Sequence, residues 1–82
     1  MRKTATQEKL LSRITLNPRV MVGKPTIRGL RISVEHILKA LANGVNVDEM
    51  LEDYPELELD DIKAALTYAA MLVDEERVFQ IS

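Results

Sequence analysis

The side chains able to do chemistry in this chain are unevenly placed, and their spacing excludes more than it offers. His36 is the single histidine, and there is no cysteine. No thiolate nucleophile, disulfide or sulfur metal site can therefore form. His36 falls one position from the apolar stripe of its helix, and with no partner assigned to it for acid–base work it reads as a surface or boundary residue. The carboxylates are dense at Glu52-Asp53 and Asp60-Asp61. Adjacent positions on a helix point apart, however, and no histidine or cysteine joins them as a ligand set. They read as solvated faces or as partners of the helix dipole. Gly23-Lys24 invites a phosphate-loop reading, which fails: a Walker A loop needs glycine and serine or threonine where Pro18 and Pro25 stand. No catalytic, metal or cofactor residue is expected, and the chain reads as a non-enzyme.

What the chain does offer is cations. Gly23-Lys24-Pro25-Thr26-Ile27-Arg28-Gly29-Leu30-Arg31-Ile32 combines two glycines, a proline and three basic residues ahead of a helix start. Glycine permits positive φ or close backbone approach, proline fixes φ, and the basic heads seek anions or water. Lys24, Arg28 and Arg31 are the candidate DNA contacts, since a ribbon with alternate cations can lie in a groove. The competing reading pairs Arg28 and Arg31 with the acidic helices further on. Charge is strongly segregated, with nine cations against two carboxylates in residues 1–44 and two against eleven in residues 45–82. Either the halves face different partners, or they neutralise one another within or between subunits.

The elements that must hold these residues are short. Residues 1–12 are a polar lead-in, helical for a turn or two. Ile14-Thr15-Leu16 and Leu30-Arg31-Ile32 alternate as strands and are expected to pair. Ser33 is an N-cap, Val34, Ile37, Leu38 and Leu41 form one apolar face, and Gly44 ends that helix. Asn46 with Glu49 makes a capping box for a second helix that Pro55 terminates. A third opens near Leu59, with Asp60 and Asp61 at the positive end of its dipole and Leu57 and Ile62 placed as a hydrophobic staple, and runs to about Val73. With Ile62, Leu66, Ala69 and Val73 inward, Ala64, Tyr68 and Met71 are left outside, and Tyr68 and Met71 become a candidate partner surface. Beyond a charge run, Arg77, Val78 and Phe79 form a second one, because a solvated end does not need these apolar groups.

Eighty-two residues make one small domain. The division is lead-in 1–12, ribbon plus helices 13–73 and tail 74–82. Chains this short often share stability with a second subunit, so a homo-oligomer is expected. The N-terminus has no apolar run fit for a signal or a membrane span, and the cytoplasm is the expected compartment.

GKPxIRGxRIxV from Gly23, followed by Asp53-Tyr54-Pro55-Glu56-Leu57 and Ile62-Lys63-Ala64-Ala65-Leu66, resembles domain-of-unknown-function family 433. The resemblance runs from about Ile14 to Ala70. It implies a mainly α fold, a homeodomain-like three-helix helix-turn-helix bundle preceded by a short β ribbon. It also implies a VapB-type antitoxin, which dimerises, binds operator DNA and inhibits a PIN-like ribonuclease toxin. A stand-alone DNA-binding regulator and a structural dimer module stay open beside it. Arg77, anchored by Val78 and Phe79, would suit the carboxylate cluster of such a nuclease. The entry end of the third helix, Glu58-Leu59-Asp60-Asp61, opposes duplex binding there, because its carboxylates should repel phosphates.

Overall fold

A computed structural model describes residues 5–75 of the chain. It is mainly helical, with four helices and one two-stranded antiparallel sheet. The order is α1 (Ala5–Leu11), β1 (Ile14–Thr15), β2 (Thr26–Ile27), α2 (Val34–Ala42), α3 (Val47–Asp53) and α4 (Leu59–Glu75). Candidate residues Arg77, Val78 and Phe79 lie outside the described residues.

The helix signals act where the sequence places them. Ser33 Oγ accepts the His36 N–H at 3.0 Å. Asn46 and Glu49 form the reciprocal capping box, with Asn46 Oδ1 accepting at 2.8 Å and Glu49 Oε1 at 3.3 Å. Leu57 and Ile62 are both buried as the staple of α4.

The ribbon differs from expectation. Ile14 pairs with Ile27 and Thr15 with Thr26, so the partner strand is Thr26–Ile27 rather than Leu30–Ile32. The chain then reverses at once: Arg28 has φ 45° and Gly29 φ 73°, and Leu30 N–H donates to the Ile27 carbonyl at 2.7 Å. Two successive positive φ values are the geometry of a tight hairpin turn, which the Arg-Gly pair supplies. Ile32 returns its carbonyl to the Ile27 N–H at 3.0 Å. Arg28 is therefore a turn residue, not one of a row of cations along a strand.

Ile27, Ile37, Met50 and Ile62 are fully enclosed at the centre of the core, and Ile32, Val34, Leu57 and Ala65 complete it. α1 and α2 both pack on α4. The inward face of α4 is not the expected one. Ala64 and Ala65 are fully buried and Tyr68 packs half-buried against the core, whereas Leu66 is 48% and Val73 71% exposed. The cause is Asp61, which is fully buried and sets the helix's rotation, so that Asp61, Ala65 and Tyr68 at i, i+4 and i+7 face inward. Tyr68 thus belongs to the packing of the domain rather than to a free partner surface, and Met71 is half-buried.

Candidate nucleic-acid interface

Two clusters of charge emerge, and they separate the three candidate cations. The first surrounds Asp61. Arg28 grips the carboxylate with both arms of its guanidinium, Nε to Oδ1 at 3.0 Å and Nη2 to Oδ2 at 2.9 Å, and its Nη2 also donates to the Glu56 carbonyl at 2.6 Å. Arg13 Nη1 donates to Asp61 Oδ1 at 2.9 Å and to Glu58 Oε1 at 2.8 Å. The Glu58 N–H, at the start of α4, donates to Asp61 Oδ2 at 2.8 Å. Burial alone would raise the Asp61 pKa. The hydrogen bonds from Arg28, the Glu58 N–H and Arg13 outweigh that, and hold the carboxyl below its ordinary value.

This cluster is an anchor of the fold. It brings the ribbon, through Arg13 and Arg28, onto the first turn of α4. The Arg28 N–H donates to the Arg13 carbonyl at 2.8 Å and fixes the two arginines side by side. Arg28 is therefore committed to Asp61, as the ion-pair reading of the sequence has it. Asp61 is neither a solvated face nor a mere dipole partner. Arg13 carries no signal in the sequence, because 48 residues separate it from Asp61 and neither its type nor its spacing announces the contact.

The second cluster lies at the start of α2. Met21, Lys24, Arg31, Glu35, His36 and Tyr54 contribute to the lining of an open groove of about 330 Å³, with Lys39 beside them. Lys24 reaches it from a strained turn: Met21, Val22 and Gly23 all have positive φ, at 52°, 56° and 78°. A β-branched residue at positive φ is an outlier, and Val22 is also 94% exposed. The Glu35 carboxylate bridges two ammonium groups, Oε1 to Lys24 Nζ at 2.9 Å and Oε2 to Lys39 Nζ at 2.8 Å. Hydrogen bonds from Lys39 and then Lys24 pull its pKa down to about 2. Arg31 is exposed, and among the described residues it makes no hydrogen bond or ion pair. His36 Nε2 and the Tyr54 hydroxyl share a hydrogen bond of 2.7 Å, and their rings stand edge-on at 85°.

The structure thus keeps Lys24 and Arg31 together, removes Arg28, and adds Lys39 and His36, which the sequence alone does not place there. The i,i+4 spacing of Glu35 and Lys39 is the signal available for the former.

The family model described as "Protein of unknown function (DUF433)" matches residues 14–69. The chain belongs to this family. Among relatives of the chain is the "Uncharacterized protein y4eO" of Sinorhizobium fredii, 36% identical over 56 residues. That match takes in 68% of this chain but 25% of the relative, so the chain spans about a quarter of the length of the curated protein it resembles. No solved structure matches. Among the described residues, no helix is long and apolar enough to cross a membrane.

Proposed function

We propose that this DUF433 chain is a non-catalytic, antitoxin-type regulator, a homodimer that holds operator DNA through the groove at the start of α2 and covers a PIN-like ribonuclease with its C-terminal segment. The observation that carries the nucleic-acid half is the groove itself, where three cations face one exposed carboxylate and Arg31 has no internal partner among the described residues. α2, α3 and α4 serve as a homeodomain-like tri-helical unit, with α3 and α4 as its helix-turn-helix pair. Its usual reading head is unsuited to phosphates here. The entry end of α4 holds Glu58, Asp60 and Asp61, and the arginines beside them are occupied in neutralising them. DNA contact therefore passes to Lys24, Arg31 and Lys39.

The substitution pair Lys24→Ala and Arg31→Ala should weaken binding to duplex DNA upstream of the gene. It should also flatten the salt dependence by a log–log slope of roughly 0.9 for each phosphate that is no longer neutralised. Fluorescence anisotropy across a salt series checks this, and an unchanged slope would remove the groove from the DNA reading.

The partner half rests on resemblance to VapB-type antitoxins and on the composition of the tail. A chain truncated after Glu75 should melt like the full chain, yet fail to retain the product of the adjacent reading frame in a co-expression pull-down. A large fall in melting temperature would assign Phe79 to the domain's own core instead.

A second reading has one observation in its favour. Because the matched stretch makes up 25% of y4eO, the same domain also occurs within a much longer protein, which suits a regulator or dimer module with no dedicated toxin. Failure of the pull-down together with retained DNA binding would select it.

A further inference from the structure

We propose that the groove between the Met21–Gly23 turn and α2 is shaped for one unstacked nucleotide, so that the chain prefers single-stranded nucleic acid to duplex. The inference rests on reading this groove as the nucleic-acid surface, and narrows what that surface takes. Three features converge on it. The first is the Glu35 carboxylate, whose two oxygens each meet a different ammonium, Lys24 at 2.9 Å and Lys39 at 2.8 Å. A phosphodiester presents two non-bridging oxygens with the same single charge, so it can take the carboxylate's place between the lysines. Both Glu35 and the two lysines are well exposed, so the carboxylate is free to swing aside. Arg31, without an internal partner among the described residues, supplies a further donor to the same anion.

The second feature is aromatic. His36 is exposed, and its ring is held by the Tyr54 hydroxyl at 2.7 Å. A fixed imidazole beside a line of cations is the combination by which single strands are bound, phosphate on the basic groups and base on the ring. A base inside a duplex is stacked on both faces and offers no face to His36.

The third is the rim. Met21, which lines the groove, is held at φ 52°. Such backbone strain concentrates at ligand-holding segments. With Ile32, Met21 gives an apolar wall to a groove of about 330 Å³, room for a single nucleotide unit rather than a helix.

The test uses the full chain, with anisotropy measured on labelled oligothymidylate of about eight residues, a duplex containing it, the same strand made abasic at every position, and oligouridylate. The intact DNA single strand should bind at least about fivefold tighter than both the duplex and the abasic strand. His36→Ala should erase that difference, Arg31→Ala should weaken every form, and Glu35→Gln should tighten every form. All three positions are exposed, and circular dichroism of each variant verifies folding. A single strand bound no better than the abasic strand overturns the proposal, as does an unchanged preference in His36→Ala. Duplex bound as tightly as single strand, with weaker binding in Arg31→Ala, overturns it while leaving the DNA-binding reading in place. No binding of any form overturns both. Tighter binding of oligouridylate identifies RNA as the source of the strand, and equal binding identifies the chemistry common to both.

Discussion

Asp61→Asn should lower the melting temperature by roughly ten to twenty degrees. The substitution keeps the shape of the side chain, so the effect isolates its charge and acceptor capacity. The wild-type carboxylate is fully buried and accepts from Arg28 Nε, Arg28 Nη2, Arg13 Nη1 and the Glu58 N–H. An asparagine amide turns one acceptor oxygen into a donor that faces donors already in place. Losing charge-assisted hydrogen bonds and mispairing one buried position costs about 2–3 kcal/mol. Each kcal/mol shifts the midpoint of a domain this size by about 4–8 °C. Asp60→Asn is the control. Its side chain is 54% exposed and, among the described residues, pairs with Arg13 alone, at 3.8 Å, so its effect should stay within the range of ordinary surface changes.

The same pair has a pH signature. A carboxyl whose pKa is lower in the folded than in the unfolded chain stabilises the fold above the unfolded value, and that stability is lost as pH falls through the folded value. Asp61 is such a group. Wild-type stability should therefore decline as pH drops below about 4, and Asp61→Asn should flatten that decline. Equal melting temperatures for the two Asp→Asn variants would remove Asp61 as the anchor of α4.

The helix starts and stops are legible because each rests on residues within one turn of each other. Ser33, the Asn46–Glu49 box, Gly44 and the Leu57–Ile62 staple depend on local chemistry alone. The strand partner is not, because a two-residue strand leaves little alternation to read. The Arg28-Gly29 turn, which decides the register, looks in sequence like part of a cationic strand. The rotation of α4 is hidden for a related reason. Leu66 and Val73 are more apolar than Ala64 and Ala65, so periodicity puts the larger groups inside. The structure inverts this because buried Asp61, tied to arginines from far upstream, fixes which side of the helix meets the core. The groove is half legible: Lys24 and Arg31 stand out by charge, but only the fold brings His36, Lys39 and Tyr54 to them.

That inversion leaves a stripe whose expected consequence is large: Leu66→Glu should convert the proposed dimer into a folded monomer. Leu59 and Leu66 are each 48% exposed and Val73 71%, at intervals of seven residues along α4. Lys63 and Ala70, both exposed, fall between them, which completes the alternating spacing of a two-helix seam. The pattern is symmetric about Leu66. A second copy laid antiparallel would put Leu66 against its own counterpart on the two-fold axis, and Leu59 against Val73 at both ends. Each substitution in such an interface is present twice. Leu66→Glu therefore removes two apolar side chains and sets two carboxylates against one another where water is excluded. Burying a leucine side chain fully is favourable by about 1.5–3 kcal/mol, and about half of each remains to be buried, so the pair alone weakens the dimer by about a hundredfold or less before repulsion is added. With repulsion, the dissociation constant should rise by more than about a hundredfold. Because Leu66 is half exposed in the single chain, circular dichroism of the variant should match the wild type. Light scattering at about tens of micromolar, where weak dimers assemble, reads the mass directly. A dimer that survives Leu66→Glu would move the interface elsewhere. A wild-type monomer that dimerises only after removal of residues 76–82 would show that the chain's own tail occupies the stripe.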